Sequence, residues 1–472
     1  MPSTRVLTLV VASAMFMESL VSTVIATSLA AMAADLRVDP LTLKLAFTAY
    51  YVALAMFIPV SGWLADRHGA RTVFAGSIGL FTLASVGCAL APDLHTLVAG
   101  RFLQGAGGAL MLPVGRLVLL RVIPKREMVS AMAWLSIPAL FAPIIGPPVG
   151  GFITTYHHWR GIFWLNVPVG LLGLAAAAWW VPQVKAEVAR PLDGRGFLLC
   201  GAGLSLAIFG FTLLGGSGGS GGPGGRSSRA PLALEMMVAG LALLALYVRH
   251  ARRTAHPVLA LDLLAIPTFR VAVLGGVLFR LSVGAMPFLL PLMLQLGFGM
   301  SAFASGSLTF AAAVGAVTMK LTAGPILRRH GFRTVLCVNA LVSSAMMAAI
   351  AAFTAATPGA VILAVLLAGG FFRSLQFTAL NTLGYADVPE PRFADATGFV
   401  AVAQQLALAA GVAVAAVLLD ASRAADGRAA LATADFARAF VAVSFIAASA
   451  LALFWRLAPD AGAEVSGHRR PG

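Results

Sequence analysis

The segment GWLADRHGARTV at residues 62–73 recurs at residues 324–335 as GPILRRHGFRTV, with seven of twelve positions identical at a constant offset of 262. Each copy follows one long apolar run and precedes another. Glycine permits a tight turn between helices, and arginine anchors a helix end at the polar surface of a membrane. The two copies therefore predict a chain of two related halves, each built from several membrane-spanning helices.

Apolar runs account for most of the chain. Of its 472 residues, 59% are hydrophobic and 11% are charged, whereas a soluble domain carries about 25% charged residues. A spanning helix needs about 20 apolar residues, and these runs are too long and too continuous for barrel strands. We count fourteen runs, at residues 7–31, 43–65, 73–91, 95–120, 130–154, 161–181, 196–214, 232–248, 271–293, 303–326, 334–354, 359–385, 396–419 and 436–455. The predicted fold class is an all-α polytopic membrane protein with fourteen transmembrane helices.

The repeat divides these spans into groups. Its copies follow spans two and ten, and a six-span unit with two added spans between the copies reproduces this spacing. We therefore predict an N-terminal six-helix bundle at residues 1–182, two inserted helices at residues 183–268 and a C-terminal six-helix bundle at residues 269–472. The Gly- and Ser-rich segment 215–229 lies between the inserted helices, and its composition predicts a flexible outer loop.

Basic residues predict the orientation of the chain. With the N-terminus in the cytoplasm, 20 Lys and Arg residues fall in cytoplasmic loops and 8 in outer loops. Cytoplasmic loops of membrane proteins carry such an excess. We therefore expect a multi-pass protein of a bacterial-type inner (plasma) membrane with both termini in the cytoplasm. The net charge of +15 is dispersed between the spans, so nucleic acid is not an expected partner.

Four segments resemble motifs of one transporter superfamily. Residues 62–71 resemble the loop 2–3 signature of the major facilitator superfamily, and residues 101–108, RFLQGAGG, resemble the span-four motif of its proton antiporters. Residues 146–151, GPPVGG, resemble the span-five antiporter motif. Residues 159–170, WRGIFWLNVPVG, are similar to the start of span six in the fourteen-helix drug:proton antiporters. The motifs occur in order at the expected spans, and the resemblance covers nearly the whole chain.

The resemblance implies a major facilitator fold, with two six-helix bundles around a central cavity, alternating access and export driven by proton entry. In that family the first motif forms a charge network at the inner gate, which implies this role for Asp66, Arg67 and Arg71. The duplication extends the predicted gate to further residues of the two copies, namely Gly62, Gly69, Arg328, Arg329 and Arg333. The alternative is a pair of loops that only set topology.

The other motifs imply roles for residues of spans four and five. Arg101 is the position that the resemblance assigns to proton coupling. The span-five motif implies antiporter helix packing by Gly146, Pro147, Gly150 and Gly151. Ordinary close packing in a membrane helix explains these glycines and prolines equally well.

Glu18 is the one acidic residue that we place near the middle of a predicted span. The resembling transporters usually carry an acidic residue at the position of Val21, and Glu18 lies three residues earlier on the same helix face. We expect Glu18 to carry the proton, because burial and nearby arginines act on a carboxyl in opposite directions. The alternative is a static ion pair with an arginine of span four or nine.

Five basic residues also lie inside the predicted spans: Arg101, Arg116, Arg280, Lys320 and Arg373. Ionisable residues in a membrane are functional candidates, although Arg116 and Lys320 are close enough to the inner boundary to reach the headgroups. An unpaired buried charge is strongly disfavoured, so five cations against one carboxylate predict an anionic substrate. We assign substrate binding to Arg116, Arg280, Lys320, Arg373, Gln376 and Asn381, while the two amides fit helix–helix links equally well.

Other function classes fit the sequence less well. We find no metal-ligand cluster, nucleotide-binding loop or nucleophile motif, so an enzyme is not expected and neither a metal nor a cofactor is predicted. A channel favours rings of charge from several subunits, whereas these charges are scattered over two dissimilar halves. An exporter of lipophilic cationic drugs and a non-transporting receptor or scaffold remain alternatives. The expected partners are a small-molecule substrate, protons and the lipid bilayer, with the protein acting as a monomer.

Overall fold

Fourteen long helices form the molecule. The structure is a computed structural model that describes residues 4–123, 125–185, 191–214, 225–255, 257–428 and 430–467. We number the helices α1 to α14: Arg5–Asp35, Pro40–His68, Ala70–Ala89, Leu94–Val122, Lys125–Tyr156, Gly161–Trp180, Gly194–Leu213, Ala230–Ala251, Pro267–Gly297, Ala302–Lys320, Ala323–Ile350, Gly359–Leu383, Glu390–Ala425 and Thr433–Phe454. Residues 215–224 of the predicted outer loop lie outside the described ranges.

Thirteen of the helices, all except α5, are long and apolar enough to cross a membrane. Helix α5 has 32 residues, and the side chains of residues 125–140 lie outside the described part, so the fourteenth span remains a prediction. Large apolar side chains cover the outside of the bundle, with Leu172, Trp179 and Phe445 exposing 72%, 78% and 71% of their surface. Lipid covers such a surface, and helices satisfy their own backbone hydrogen bonds there. The predicted all-α membrane fold is confirmed.

Polar side chains at the membrane boundary begin several helices. Asp93 accepts a hydrogen bond from the backbone amide of Thr96 at 2.8 Å and thereby caps α4. Ser301 caps α10 in the same way through the amide of Ala304. Such caps satisfy amides that have no partner inside the helix. The bond from Thr96 also holds the pKa of Asp93 below its ordinary value.

The helices pair alike in the two halves, which we call the N-terminal half (α1–α6) and the C-terminal half (α9–α14). In the N-terminal half α1 packs on α5, α2 on α4 and α3 on α6. In the C-terminal half the equivalent pairs are α9 with α13, α10 with α12 and α11 with α14. The halves meet along α5 with α10 and along α2 with α13. This pairing agrees with an internal repeat, while the bundle boundaries at residues 182 and 268 remain predictions.

The two ends of the bundle carry different connections between the helices. The terminal face is the end where α1 begins and α14 ends, and it carries both copies of the repeated loop. The opposite face carries the α1–α2 and α13–α14 connections. Hydrogen bonds between the halves lie toward the opposite face: Gln295 Nε2 donates to the Thr27 carbonyl at 3.0 Å, and the Phe303 amide donates to Thr155 Oγ1 at 3.0 Å.

The inserted pair, α7 and α8, lies against the junction of the halves. The two helices approach closely where Gly203 and Gly210 of α7 and Gly240 of α8 face the backbone of the partner helix. Small residues permit this approach in a membrane. Helix α7 also packs on α2 and α13. After α8, Asp262 accepts hydrogen bonds from Arg392, which hold the pKa of Asp262 below its ordinary value.

The repeated loop is a helix–turn–helix in both copies. Gly69 separates α2 from α3 with φ +91° and ψ +139°, and Gly331 bends α11 with φ +71° and ψ +164°. This backbone region is essentially restricted to glycine. The predicted tenth span, 303–326, is too long, because α10 ends at Lys320 and a turn at Leu321 and Thr322 starts α11. The second copy therefore lies in α11, whereas most of the first copy is the end of α2.

We expect Gly331→Ala to destabilise the protein by about 1–3 kcal/mol, because alanine rarely adopts the backbone angles of Gly331. Thermal unfolding of the detergent-purified protein, followed by tryptophan fluorescence, measures the effect as a lower Tm. Gly79→Ala in α3 is the matched control, since that glycine is helical and a Cβ there meets nothing within 4 Å. Equal Tm values for the two variants would show that Gly331 bears no conformational constraint.

Candidate functional site

The first copy of the repeated loop is held by charge and aromatic contacts within the N-terminal half. Asp66 Oδ1 accepts a hydrogen bond from Arg121 Nη2 of α4 at 2.7 Å. The guanidinium of Arg67 lies over the Trp63 ring, 5.4 Å from its centroid. Both contacts lie on the terminal face. The Asp66–Arg121 bond links the end of α2 to the end of α4, whereas the Arg67–Trp63 contact lies within α2.

Gln183, which follows α6, holds the turn at Gly69. Its Nε2 donates to Thr72 Oγ1 at 2.8 Å, and its Oε1 accepts from the Arg71 amide at 3.1 Å. The Arg71 guanidinium donates to the carbonyl of Ala178 in α6. A side chain at Gly69 would overlap the Gln183 amide group. The loop is therefore attached to the segment that leaves the sixth helix of its own half.

The second copy is held in a similar manner by the segment after α14. Arg333 lies over the Trp455 ring at 5.0 Å, and a Cβ at Gly462 would touch the Phe332 ring. Arg328 lies beside Gly467, and the side chain of Arg329 is exposed. The resolved partner of Asp66 is Arg121 of its own half rather than an arginine of the second copy. The predicted gate residues thus form two separate clusters in this structure.

Glycines near the terminal face border open space. A Cβ built at Gly62 of α2, at Gly324 of α11 or at Gly398 of α13 meets nothing within 4 Å. Glycines are otherwise typical of close helix contacts in membranes. The ends of α2, α11 and α13 therefore leave room beside these three glycines at the terminal face.

A cluster of four charges joins the halves at the opposite face. Arg423 of α13 bonds Asp39 at 2.7 Å and Asp420 at 2.9 Å. Lys44 of α2 is 2% exposed and interacts electrostatically with Asp420 and Asp39. We did not predict this cluster, because Lys44 and Arg423 count as ordinary loop charges in the sequence. The sequence signal that could have indicated the cluster is the presence of two acidic and two basic residues where α1 meets α2 and where α13 ends.

The span-five motif lies where three helices meet. Gly146 and Gly150 face Thr23 and Val24 of α1. Gly151 and Gly306 have no room for a Cβ, because the first faces the Ala302 carbonyl of α10 and the second faces the Pro147 carbonyl of α5. The motif therefore packs α5 against its own half and against α10. This contact between the halves lies toward the closed, opposite face.

Glu18 and Arg101 lie on either side of Tyr50. The Tyr50 hydroxyl donates to Glu18 Oε1 at 3.4 Å, and the Arg101 guanidinium lies over the Tyr50 ring, 4.1 Å from its centroid. Glu18 is partly buried and Arg101 is fully buried. The structure brings the two predicted proton-coupling residues together through the tyrosine rather than in a direct ion pair. Tyr50 was missed by sequence reasoning.

Polar neighbours complete the surroundings of Arg101. Its Nη1 donates to Gln104 Oε1 at 2.5 Å, and Gln104 Nε2 donates to Ser85 Oγ of α3 at 2.7 Å. Its Nε is buried without a hydrogen-bond acceptor among the described residues. The buried arginine thus has polar and aromatic neighbours, but no carboxylate contacts it in the described part of the chain. Gln104 belongs to the span-four motif and lies three residues after Arg101, a spacing that places two side chains side by side on a helix. The sequence could therefore have predicted this contact.

Arg280 and Arg116 face the region between the halves. Arg280 of α9 is 3% exposed, donates to Asn381 Oδ1 at 2.6 Å and lies 5.5 Å from the Phe377 ring centroid. Arg116 of α4 is exposed. Both guanidinium groups interact electrostatically with Tyr385, which follows α12. The structure therefore brings two of the predicted substrate-binding residues, Arg280 and Asn381, into direct contact, and Arg116 of the other half interacts with the same tyrosine as Arg280.

The remaining predicted binding residues lie elsewhere. Lys320 is exposed at the end of α10. Arg373 points into the interior of the C-terminal half, where it lines a small cavity. Gln376 is fully buried, accepts from Asn339 Nδ2 at 2.8 Å and donates to the Leu336 carbonyl at 3.3 Å, so it links α12 to α11. The structure does not bring these three residues to Arg280.

We expect Gln376→Leu to lower stability without changing the KM for a transported substrate. The substitution removes the acceptor of a buried Asn339 N–H, which costs about 1–3 kcal/mol. The double variant Asn339→Leu with Gln376→Leu removes both partners and recovers part of that loss. Thermal unfolding and initial transport rates measure the two effects separately. A raised KM at unchanged Tm would instead place Gln376 at the substrate.

Sequence comparison identifies relatives of this architecture. A family model described as Major Facilitator Superfamily matches residues 11–412 and 272–471. A probable transport protein, HsrA, of Haemophilus influenzae is 35% identical over 416 residues, which cover 88% of each chain. A putative multidrug resistance protein, MdtD, of Cronobacter sakazakii is 34% identical over 416 residues, which cover 87% of this chain and 85% of the relative.

Solved structures share the fold at low sequence identity. A D-xylose–proton symporter matches with a TM-score of 0.69 and 15% identity, covering 97% of this chain and 98% of the symporter. The human organic anion transporter MFSD10 matches with a TM-score of 0.60 and 14% identity, covering 96% of this chain and 100% of that structure. At this level of identity the likeness concerns the fold alone.

Proposed function

Because the chain belongs to the Major Facilitator Superfamily, we propose that this membrane transport protein exports an organic anion in exchange for protons by alternating access. The observation that carries the proposal is the pair Arg116 and Arg280, one from each half, beside Tyr385. Among the described residues neither arginine has a carboxylate within ion-pair distance. Arg280 is buried, and a buried cation needs a counter-charge. The anionic group of a substrate supplies that charge, and the exposed Arg116 of the other half offers a second set of donors.

Alternating access is supported by the contrast between the two faces. The opposite face is joined by the Asp39–Arg423 ion pair and by backbone contact at Gly151 and Gly306. At the terminal face, Gly62 and Gly324, the first residues of the two loop copies, border open space. Closing the terminal face requires the helix ends of the two halves to approach, and glycines leave room for that approach. This structure then represents the state open to the terminal face.

Glu18 is our candidate for the proton carrier. Among the described residues it is the one acidic side chain near the middle of a spanning helix. Its hydrogen bond from Tyr50 and the position of Arg101 over the same ring provide a physical link between the carboxyl group and the span-four motif. A carboxylate and its protonated form bind such a donor differently, so proton loading changes the contact between α1 and α2.

The names of relatives support the proposed direction of transport, and the charge bias supports the proposed location. Relatives named as multidrug resistance proteins support efflux. The excess of basic residues near the terminal face supports a cytoplasmic position for that face and for both termini. The protein then takes its substrate from the cytoplasm of a bacterial-type inner membrane and releases it on the outer side.

We expect Arg280→Gln to weaken transport of organic anions by about ten- to a hundredfold in rate at low substrate concentration. That range corresponds to loss of a charge-assisted contact of about 1.5–3 kcal/mol. Flux into inverted vesicles, measured for a panel of organic anions and of lipophilic cationic dyes, provides the readout. Wild-type protein should accumulate anions and discriminate against the dyes.

Arg253→Gln is the matched control for this experiment. Arg253 is an exposed arginine after α8, so the same change of charge should leave the flux unaltered. Preferential transport of cationic dyes that is insensitive to Arg280→Gln would overturn the anionic substrate and favour an exporter of lipophilic cations.

We expect Glu18→Gln to abolish accumulation driven by a pH gradient while preserving exchange of substrate down its own gradient. Tyr50→Phe keeps the ring under Arg101 but removes the hydroxyl that favours the charged carboxylate. The pH profile of transport should therefore move to higher pH in Tyr50→Phe. Proteoliposomes with an imposed pH gradient and entrapped or external substrate separate these effects.

Tyr51→Phe serves as the control for Tyr50→Phe, because the neighbouring Tyr51 is also buried and, among the described contacts, makes no hydrogen bond to Glu18. Its pH profile should coincide with that of the wild type. If Glu18→Gln still accumulates substrate against a gradient at the wild-type rate, Glu18 does not carry the proton.

A further inference from the structure

Arg373 lies at a small cavity inside the C-terminal half. Residues from four helices line the cavity, among them Phe279 of α9, Ala312 of α10, Ser343 of α11 and Gly369 of α12. Its volume, counted as the space open to the centre of a water-sized sphere, is about 20 Å³. One water needs about 10–15 Å³ of such space, so the cavity admits a single ion or one small molecule but no organic substrate.

The polar groups at this cavity lack protein partners. In the described part of the chain, Arg373 makes no side-chain hydrogen bond or ion pair, and it stacks on no aromatic ring. Ser343 is 3% exposed, and its Oγ is buried without a partner. A cation without a counter-charge and a hydroxyl without an acceptor are both costly in a membrane interior. Both costs are removed by one small anion that accepts from each group.

Arg101 and Ser85 in the N-terminal half can be compared with Arg373 and Ser343. Arg101 also lies on the fourth helix of its half and faces a serine of the third helix, Ser85. There the protein supplies the partners: Gln104 bonds both Arg101 and Ser85, and Tyr50 lies under the guanidinium. Arg373 and Ser343 lie on the equivalent helices of the C-terminal half, but among the described residues no side chain bonds both of them as Gln104 does. The difference between the halves indicates that something other than a side chain fills this role.

Two aromatic rings separate this cavity from Arg280. Phe279 and Phe377 meet edge to face with centroids 5.8 Å apart. Arg280 lies on Phe377, whereas Phe279 lines the Arg373 cavity. A ligand at Arg373 is therefore distinct from a substrate at Arg116 and Arg280, and its presence does not depend on the function proposed above.

We propose that Arg373 and Ser343 hold one chloride-sized monovalent anion inside the C-terminal half. The guanidinium donates N–H groups to the ion and neutralises its charge, and the Ser343 hydroxyl donates a further hydrogen bond. Methionines and aliphatic side chains, including Met286 and Met347, form the apolar remainder of the cavity. The ion is a bound component that compensates the Arg373 charge within the bundle.

Thermal unfolding of the purified full-length protein in chloride and in gluconate, at equal ionic strength, tests the proposal. Binding to the folded state alone raises Tm with ligand concentration. We expect a saturable rise in Tm with chloride and with bromide but not with the larger gluconate. Crystals grown in bromide should show an anomalous peak between Arg373 and Ser343.

Matched variants locate the effect. Arg373→Gln should abolish the halide-dependent rise in Tm, and Ser343→Ala should increase the chloride concentration for half of the rise by about two- to tenfold. Ser85→Ala, at a serine on the third helix of the N-terminal half, should leave that concentration unchanged. Arg280→Gln should also leave it unchanged.

Three outcomes would overturn the proposal. The first is a wild-type Tm that does not depend on halide. The second is a halide effect that persists in Arg373→Gln. The third is an effect lost in Arg280→Gln but kept in Ser343→Ala, which would place the ion at the central arginines.

Discussion

The absence of hydrogen-bonding partners in hydrocarbon is the constraint on which this structure depends. The backbone meets it by forming helices, which satisfy their own amides and carbonyls. Charged side chains cannot meet it alone, so each must reach the membrane surface or find a partner inside the protein. The Asp66–Arg121 and Asp39–Arg423 pairs lie at opposite membrane boundaries. Between these levels, arginines and Glu18 occupy the interior, and their neighbours define the functional chemistry.

Charges also distinguish the two ends of the bundle. At the opposite face, Lys44, Asp39, Asp420 and Arg423 connect the halves directly, and the burial of Lys44 removes this contact from the screening effect of water. At the terminal face, Asp66 is bonded within its own half. The proposed alternating access would break the contacts at the opposite face and form new contacts between the halves at the terminal face. Ion pairs suit that purpose, because water compensates their loss when the face opens.

The sequence predicted the helices better than the contacts between them. The third apolar run, 73–91, matches α3 at Ala70–Ala89 to within a few residues, and the two loop copies do share a glycine turn. Partners were harder to predict, because a membrane helix is apolar on its lipid face and on its packed face, and no polar stripe marks which side faces inward. Arg373 and Gln376 therefore resembled Arg280 and Asn381 as candidates, although they face the interior of the C-terminal half. Tyr50 carries no motif, and its position between Glu18 and Arg101 depends on how α1, α2 and α4 pack.

Two buried arginines inside the spans, Arg101 and Arg280, differ in the neighbours that balance their charge. Arg101 lies over the Tyr50 ring and donates a hydrogen bond to Gln104. Tyr50 connects it to the ionisable Glu18. Arg280 has a single amide partner, Asn381, and lies near the middle of α9. A fixed network suits a residue that transmits a protonation change, whereas an incompletely paired cation suits a residue that must bind and release an anion. In the proposed mechanism, the division of these two arginines between the halves would let proton loading in the N-terminal half change the position of Arg280 relative to that half.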